Sequence, residues 1–338
     1  MLYVSTTSIT DSFTAHRTLH QHAPGEGGLF APMRLPVLSA SDVRKLIEQP
    51  LAHTLADVLN LFFTAKLTGT DVEKAIGGGT YRIVSMSHKL YVGELWRNPS
   101  QQYGNLEEEL FALLAGERRR STLWAGIAIR IAVIFGVFGA LLKTGVNSAD
   151  IALRSGDFCD VMAAWYARKM GLPINTIVIC CSDSGGIWEL MRNGELSAAA
   201  INRSKSKQDA GSYKVISLLI YEICGREEVQ RYLNSINNGE VYRLDPQIQQ
   251  VLFAGMECAV VRGDRAKNLI RSIYRTHHYI AEPYTAMAHA ALQEYRATAG
   301  ESCAALMLSD ASPLAFADLV GSALGLTSEE VKELFTQP

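Results

Sequence analysis

The chain is short of the features that assign a function fastest. Its six cysteines are scattered, with no CxxC pair and no Cys/His spacing. That leaves no sequence-evident zinc site or disulfide framework, and it suits a reducing, cytoplasmic compartment. A charge bias is missing too: 32 Lys and Arg against 34 Asp and Glu give a net charge of −2. Such a balance exerts no general pull on nucleic acid or on an anionic membrane. The one basic run, Arg118-Arg119-Arg120, follows Glu117 and reads as a solvated loop. There is no internal repeat and no low-complexity tract. The opening stretch, MLYVSTTSIT, lacks the charged and apolar regions of a secretory signal. His16 and His20 have helical spacing, but nothing completes a metal-ligand set, so no metal is expected.

What is present is a soluble-type composition, 48% hydrophobic and 20% charged over 338 residues, enough for a sizeable core. One segment, Leu123 to Leu142, is as long as the ~20 apolar residues a membrane span needs. Arg130 near its middle would cost about 2.5–3.5 kcal/mol in a bilayer. The expectation is a fully buried core helix, with Gly126, Gly136 and Gly139 allowing close packing, and no membrane contact.

Further along, strand-like and helix-like segments alternate. NSADIALRSG and LPINTIVICCS read as buried strands, and DFCDVMAAWYARKMG and GGIWELMRNG as helices. MECAVVRGD and SCAALMLSD add strands, and RAKNLIRSIYRTHH and EPYTAMAHAALQEYRATAG add helices. Alternation of this kind implies an α/β fold, a mostly parallel sheet flanked by helices. Functional loops then belong at the carboxyl ends of the strands. CCSDSGG lacks the lysine of a phosphate loop and reads as a strand-to-helix turn capped by Ser182 or Ser184.

Several stretches together carry a resemblance. HAPGEGGLFAP, SGDFCDVMAAWYARKMGLPI, LLIYEICGRE, EPYTAMAHAAL and LSDASPLAF stand in the order and spacing of the threonine synthase family. That family belongs to the fold-type-II pyridoxal phosphate (PLP) enzymes. The resemblance implies their large domain, and it also exposes departures. ELWRNPSQQYGN is similar to the family segment that carries the Schiff-base lysine, and Gly104 stands at the lysine position. Glycine cannot form an imine. Only residues 105–120 separate Gly104 from STLWAGIAIR, where the family has a small mobile domain. Three parts follow: 1–104, a short linker 105–120 replacing the small domain, and 121–338, with the first and last forming one compact unit.

At the family's phosphate-binding helix start this chain has Asp157, Cys159 and Asp160. A carboxylate there satisfies free N–H groups itself and repels a phosphate. In the later loops the family's contact positions become Glu282, Tyr284, Asp310, Ser312 and Ala315, and an Asn-Asp pair becomes Ser184 and Gly185. No cofactor is expected.

The expected site is an acidic pocket. Asp310, Asp157, Cys159, Tyr284 and Glu282 are candidate catalytic residues. Ser155, Asp160, Ser184, Ser312, Tyr103 and Asn98 are candidate substrate-binding residues. Crowded carboxylates separate one another's pKa values, as acid–base work requires. The expected function is a PLP-independent enzyme acting on a small amine- or amino-acid-derived metabolite by elimination, isomerisation or cyclisation, in specialised metabolism. The alternative is a pseudoenzyme that serves as a binding or scaffolding subunit. In either case a homodimer or a hetero-partner would cover the face left by the missing domain.

Overall fold

A 20-residue helix with apolar side chains on every face has to be enclosed on every side, and the fold is arranged to do this. Sixteen residues of Leu123–Leu142 are buried, so the segment is a core helix. The computed structural model describes all residues except 10–11, 26, 98–102, 157, 182–185, 204–206, 302 and 337–338.

Strands β1 (Leu2–Ser5), β2 (Ser12–Thr14) and β3 (Phe30–Pro32) form a small antiparallel sheet, with helix α1 (Ala15–His20) after β2. Helices α2 (Ala40–Glu48), α3 (Leu51–Phe62) and α4 (Gly69–Ile76) follow. The hairpin of β4 (Arg82–Ser87) and β5 (Leu90–Glu94) leads to α5 (Tyr103–Ala115) and then to the core helix, α6 (Leu123–Leu142). Next come β6 (Ala149–Arg154), α7 (Cys159–Lys169), β7 (Ile174–Cys181) and α8 (Gly186–Asn193). A lateral unit contains β8 (Glu195–Ser197), α9 (Ala198–Arg203), α10 (Lys207–Cys224), α11 (Arg226–Asn237), β9 (Val241–Arg243) and α12 (Pro246–Leu252). The chain closes with β10 (Met256–Val260), α13 (Ala266–His277), α14 (Pro283–Ala299), β11 (Ala304–Ser309), α15 (Ala317–Leu324) and α16 (Ser328–Thr336).

The main sheet has the order β10-β7-β6-β11-β5-β4. Its first five strands are parallel, and β4 pairs antiparallel with β5 at the edge. One face is covered by α6 and α7 and the other by α14; α10 of the lateral unit packs on α7, and α13, with α15 against it, packs on α14, giving two hydrophobic clusters. Burial on both faces explains why β6, β7 and β11 read as continuous apolar runs.

Helix α6 begins at Thr122, whose hydroxyl accepts from the Ala125 N–H at 3.3 Å. It lies against α2, α3 and α7. A Cβ on Gly139 would stand 2.9 Å from Ile47 Cβ and 3.3 Å from Ile47 Cα, so glycine there sets how closely α2 approaches. The segment 105–120, expected as a linker, is mostly the helix α5. Leu106, Leu110, Phe111 and Leu114 of that helix are buried. The stretch SPLAFADLVGSALG is a 3-10 turn, Pro313–Phe316, followed by α15.

Candidate functional site

The carboxyl ends of β5, β6 and β11 meet at one crevice. Beyond Arg154 the chain turns sharply. The Ser155 N–H donates to Cys180 O at 2.8 Å, and the Phe158 N–H donates to Ser155 O at 2.6 Å. Gly156 and Phe158 have φ of +42° and +66°. Phe158 is fully buried, and that packing holds a non-glycine residue in the left-handed region. Helix α7 then begins with Cys159 and places Asp160 in its first turn.

Asp160 is already paired. Arg130 Nε, from the core helix, lies 3.0 Å from Asp160 Oδ1. An Nη of Arg130 lies 3.1 Å from Glu107 Oε2 of α5, and Glu107 also accepts from the Ser121 hydroxyl. A helix N-terminus favours negative charge. Here a carboxylate of the chain supplies that charge, and the one cation of α6 ties it to α5.

A second arginine spans the crevice. Arg154 Cζ sits 4.3 Å from the centre of the Tyr284 ring, and one Nη lies 3.8 Å from Asp310 Oδ2. Its Nε is buried with no hydrogen-bond partner. An unsatisfied buried donor costs about 1–3 kcal/mol. Leu95, Val133, Ile134, Leu153, Ala288 and Leu308 complete the walls with Arg154, Asp160, Tyr284 and Asp310. The crevice is partly open, and its volume is about 20 Å³, little more than one water needs.

Behind this crevice lies a buried acidic residue with another task. Glu282 caps α14, accepting from the Tyr284 N–H at 2.5 Å, the Thr285 N–H at 2.6 Å and the Thr285 hydroxyl. Burial pushes its carboxyl up to about 7, with Asp310 adding to the rise and the cap bonds opposing it. Glu94, at the end of β5, is also buried. It accepts from the Tyr279 hydroxyl at 3.1 Å and pairs with Arg97 Nε at 2.7 Å.

Of the residues expected at the site, Asp160, Tyr284 and Asp310 line the crevice. Glu282 is withdrawn into its cap, and Cys159, 3% exposed, packs in the core. Ser155 is buried in the turn, and Ser312 caps the 3-10 turn through the Leu314 N–H. Tyr103 and Gly104 open helix α5. Asp157, Ser184 and Asn98 lie outside the described residues, as does the turn at 182–185. The N-cap residue of α7 is Phe158, whose side chain makes no cap bond.

The expected acidic pocket needs correction. Arg154 and Arg130 neutralise the two carboxylates that line it, and Glu282 is not on its wall. Sequence reasoning missed both arginines as site residues. Each had a signal: a lone cation within an apolar helix, and a lone cation ending an apolar strand.

Among the described residues, those at the crevice do not fit PLP. No lysine lines the crevice among the described residues. The helix start that would hold a phosphate has Asp160 in its first turn. Among the described residues, no group of three His, Cys, Asp or Glu is placed to hold a metal.

No protein-family profile matches the chain. It is 24% identical over 242 residues to threonine synthase of Saccharomyces cerevisiae, covering 63% of this chain and 47% of that protein. It is 23% identical over 219 residues to threonine synthase of Methylobacillus glycogenes, covering 62% and 46%. The chain thus spans about half the length of the curated relatives it matches. Its structure superposes on PLP-bound threonine synthase from Brucella melitensis with a TM-score of 0.81 at 18% identity, covering 96% of this chain and 92% of that one. On the yeast enzyme the TM-score is 0.82 at 17% identity, covering 100% and 94%. The chain therefore has the threonine synthase-like fold, the fold of the type-II PLP enzymes.

Proposed function

We propose that this protein is an enzyme that uses the threonine synthase-like scaffold without PLP. Its substrate is a small amine- or amino-acid-derived metabolite, and its chemistry is proton transfer leading to elimination, isomerisation or cyclisation. A cytoplasmic role in specialised metabolism suits such a rewired scaffold. The observation that carries this reading is the Glu107–Arg130–Asp160 chain at the start of α7. A phosphate arriving there would have to displace a carboxylate from its own arginine. Asp310 and Tyr284 stand on the crevice wall as acid–base candidates. Glu282, whose buried carboxyl stays protonated close to neutrality, stands behind them. Asp157, Cys159, Ser155, Ser184, Ser312, Tyr103 and Asn98 remain candidates around this centre.

The test is an absorption spectrum of the protein incubated with PLP, followed by borohydride reduction. The expected result is no imine band and no trapped lysine adduct. A trapped adduct would sink the reading. Turnover of a candidate metabolite that is lost in Asp310→Asn would support catalysis at the crevice.

A second reading, a binding or scaffolding pseudoenzyme, is supported by the crevice volume of about 20 Å³. Under it, helix α5 and the turn to α6 replace the family's small mobile domain, and a second copy or a hetero-partner covers that face. A monomer by sedimentation, unchanged by added cell extract, would count against it.

A further inference from the structure

Arg154 is incompletely satisfied where it stands in the crevice. Its guanidinium is stacked on Tyr284 at 4.3 Å, which fixes its plane. Its Nε is buried and unpartnered. Its ion pair with Asp310, at 3.8 Å, is longer than a hydrogen bond. A guanidinium fork is satisfied by a planar oxyanion that takes an Nε–H and an Nη–H together, as a carboxylate does. Asp310 does not do this at its present distance.

A ligand carboxylate that took Arg154 would leave Asp310 alone in a partly buried crevice. A stranded charge of this kind is unfavourable unless the ligand brings a cation to meet it. A ligand carrying both groups exchanges one ion pair for two and leaves no charge unpaired. Apart from Asp160, which is paired with Arg130, the remaining walls, Leu95, Val133, Ile134, Leu153, Ala288 and Leu308, are apolar and suit a short aliphatic tail.

We propose that Arg154 and Asp310 form a zwitterion receptor. Arg154 takes the carboxylate and Asp310 the ammonium of a small aliphatic amino acid, which enters where their own ion pair parts. In the crevice the pair occupies the ligand's place, and the apolar residues below admit only a short tail. This assignment rests on the PLP-independent reading, since it uses the free amine that an imine would consume.

The test is calorimetric titration of the full chain with L-2-aminobutyrate, butyrate and propylamine. The expected result is binding of the amino acid about tenfold or more tighter than either partial ligand. Arg154→Lys, which keeps the charge and loses the fork, should weaken the amino acid about tenfold. Asp310→Asn should abolish the preference for the amino acid over butyrate. If Arg154→Lys fails to fold by circular dichroism, Tyr284→Leu is the substitute, with an expected weakening of about threefold. Equal binding of all three probes, or no binding of the amino acid, would overturn the assignment. Unchanged affinity in the Arg154 or Tyr284 variant would overturn it too, and would leave the PLP-independent reading standing. Only a lysine-trapped PLP adduct would remove both.

Discussion

Arg130 Nε lies 3.0 Å from the Asp160 carboxylate, joining the middle of the core helix to the first turn of α7. This contact explains how an apolar helix tolerates one cation, and why the helix start of α7 accepts one anion. Both side chains are less than a third exposed, so water screens the pair only partly.

Breaking that pair should be costly. Arg130→Met leaves Glu107 and Asp160 half-buried without their cation. A loss of about 2–4 kcal/mol is expected in urea unfolding, discounted from the fully buried case. Adding Asp160→Asn should recover part of the loss. A double variant as unstable as the sum of the single changes would show that the two residues do not interact.

Glu282 predicts a pH dependence of stability. Its carboxyl is raised to about 7 by burial, with Asp310 adding to the rise, from an ordinary value of 4.5. Tyr279, which is also close to Glu282, stays protonated throughout this range because burial, and then Glu94, push its hydroxyl well above the usual value. Between those two Glu282 values the folded state holds a proton that the unfolded state has released. Stability therefore falls as pH rises from 4.5 towards 7 and levels off above, by up to about 3 kcal/mol at 1.36 kcal/mol per unit. Urea unfolding at pH 5 and pH 8 measures this. Glu282→Gln should flatten the difference, and an unchanged slope would show that another group carries it.

Gly139 should resist enlargement. In Gly139→Ala the new methyl would press on Ile47, including its backbone Cα at 3.3 Å. Overpacking of this kind costs about 1–3 kcal/mol. A melting temperature equal to wild type would mean that α2 and α6 separate freely.

The thiols should divide by accessibility. Cys224 and Cys303 are half-buried, and the other four cysteines are buried. Titration with a thiol-reactive disulfide should show two slow but accessible groups in the native protein. Burial raises both of their pKa values and slows them. The remaining four should react after denaturation. Reaction of Cys159 in the folded state would contradict its place in the core.

Most of the architecture was legible from one residue to the next. The strands at 149–154, 174–181, 256–260 and 304–309 were readable because burial on both faces leaves almost continuous apolar runs. The core helix was readable because enclosure explains nineteen uncharged, mostly apolar positions around one arginine. Helix α5 was not expected, because the resemblance implies only a deletion there, although Leu106, Leu110 and Leu114 stand at helical spacing.

The linear chain by itself placed Gly104, Asp157, Asp160 and Asp310 in segments that resemble those of a PLP-enzyme family, since residue identity needs no coordinates. Whether those carboxylates make an acidic site was decided only in three dimensions. Charge is a property of a neighbourhood. Arg130 lies thirty positions before Asp160, and Arg154 ends β6 while Asp310 follows β11. Only the stacking of β6 beside β11, and of α6 across α7, brings each cation to its anion. That juxtaposition changes the expected cation-seeking pocket into a small crevice held by its own ion pairs.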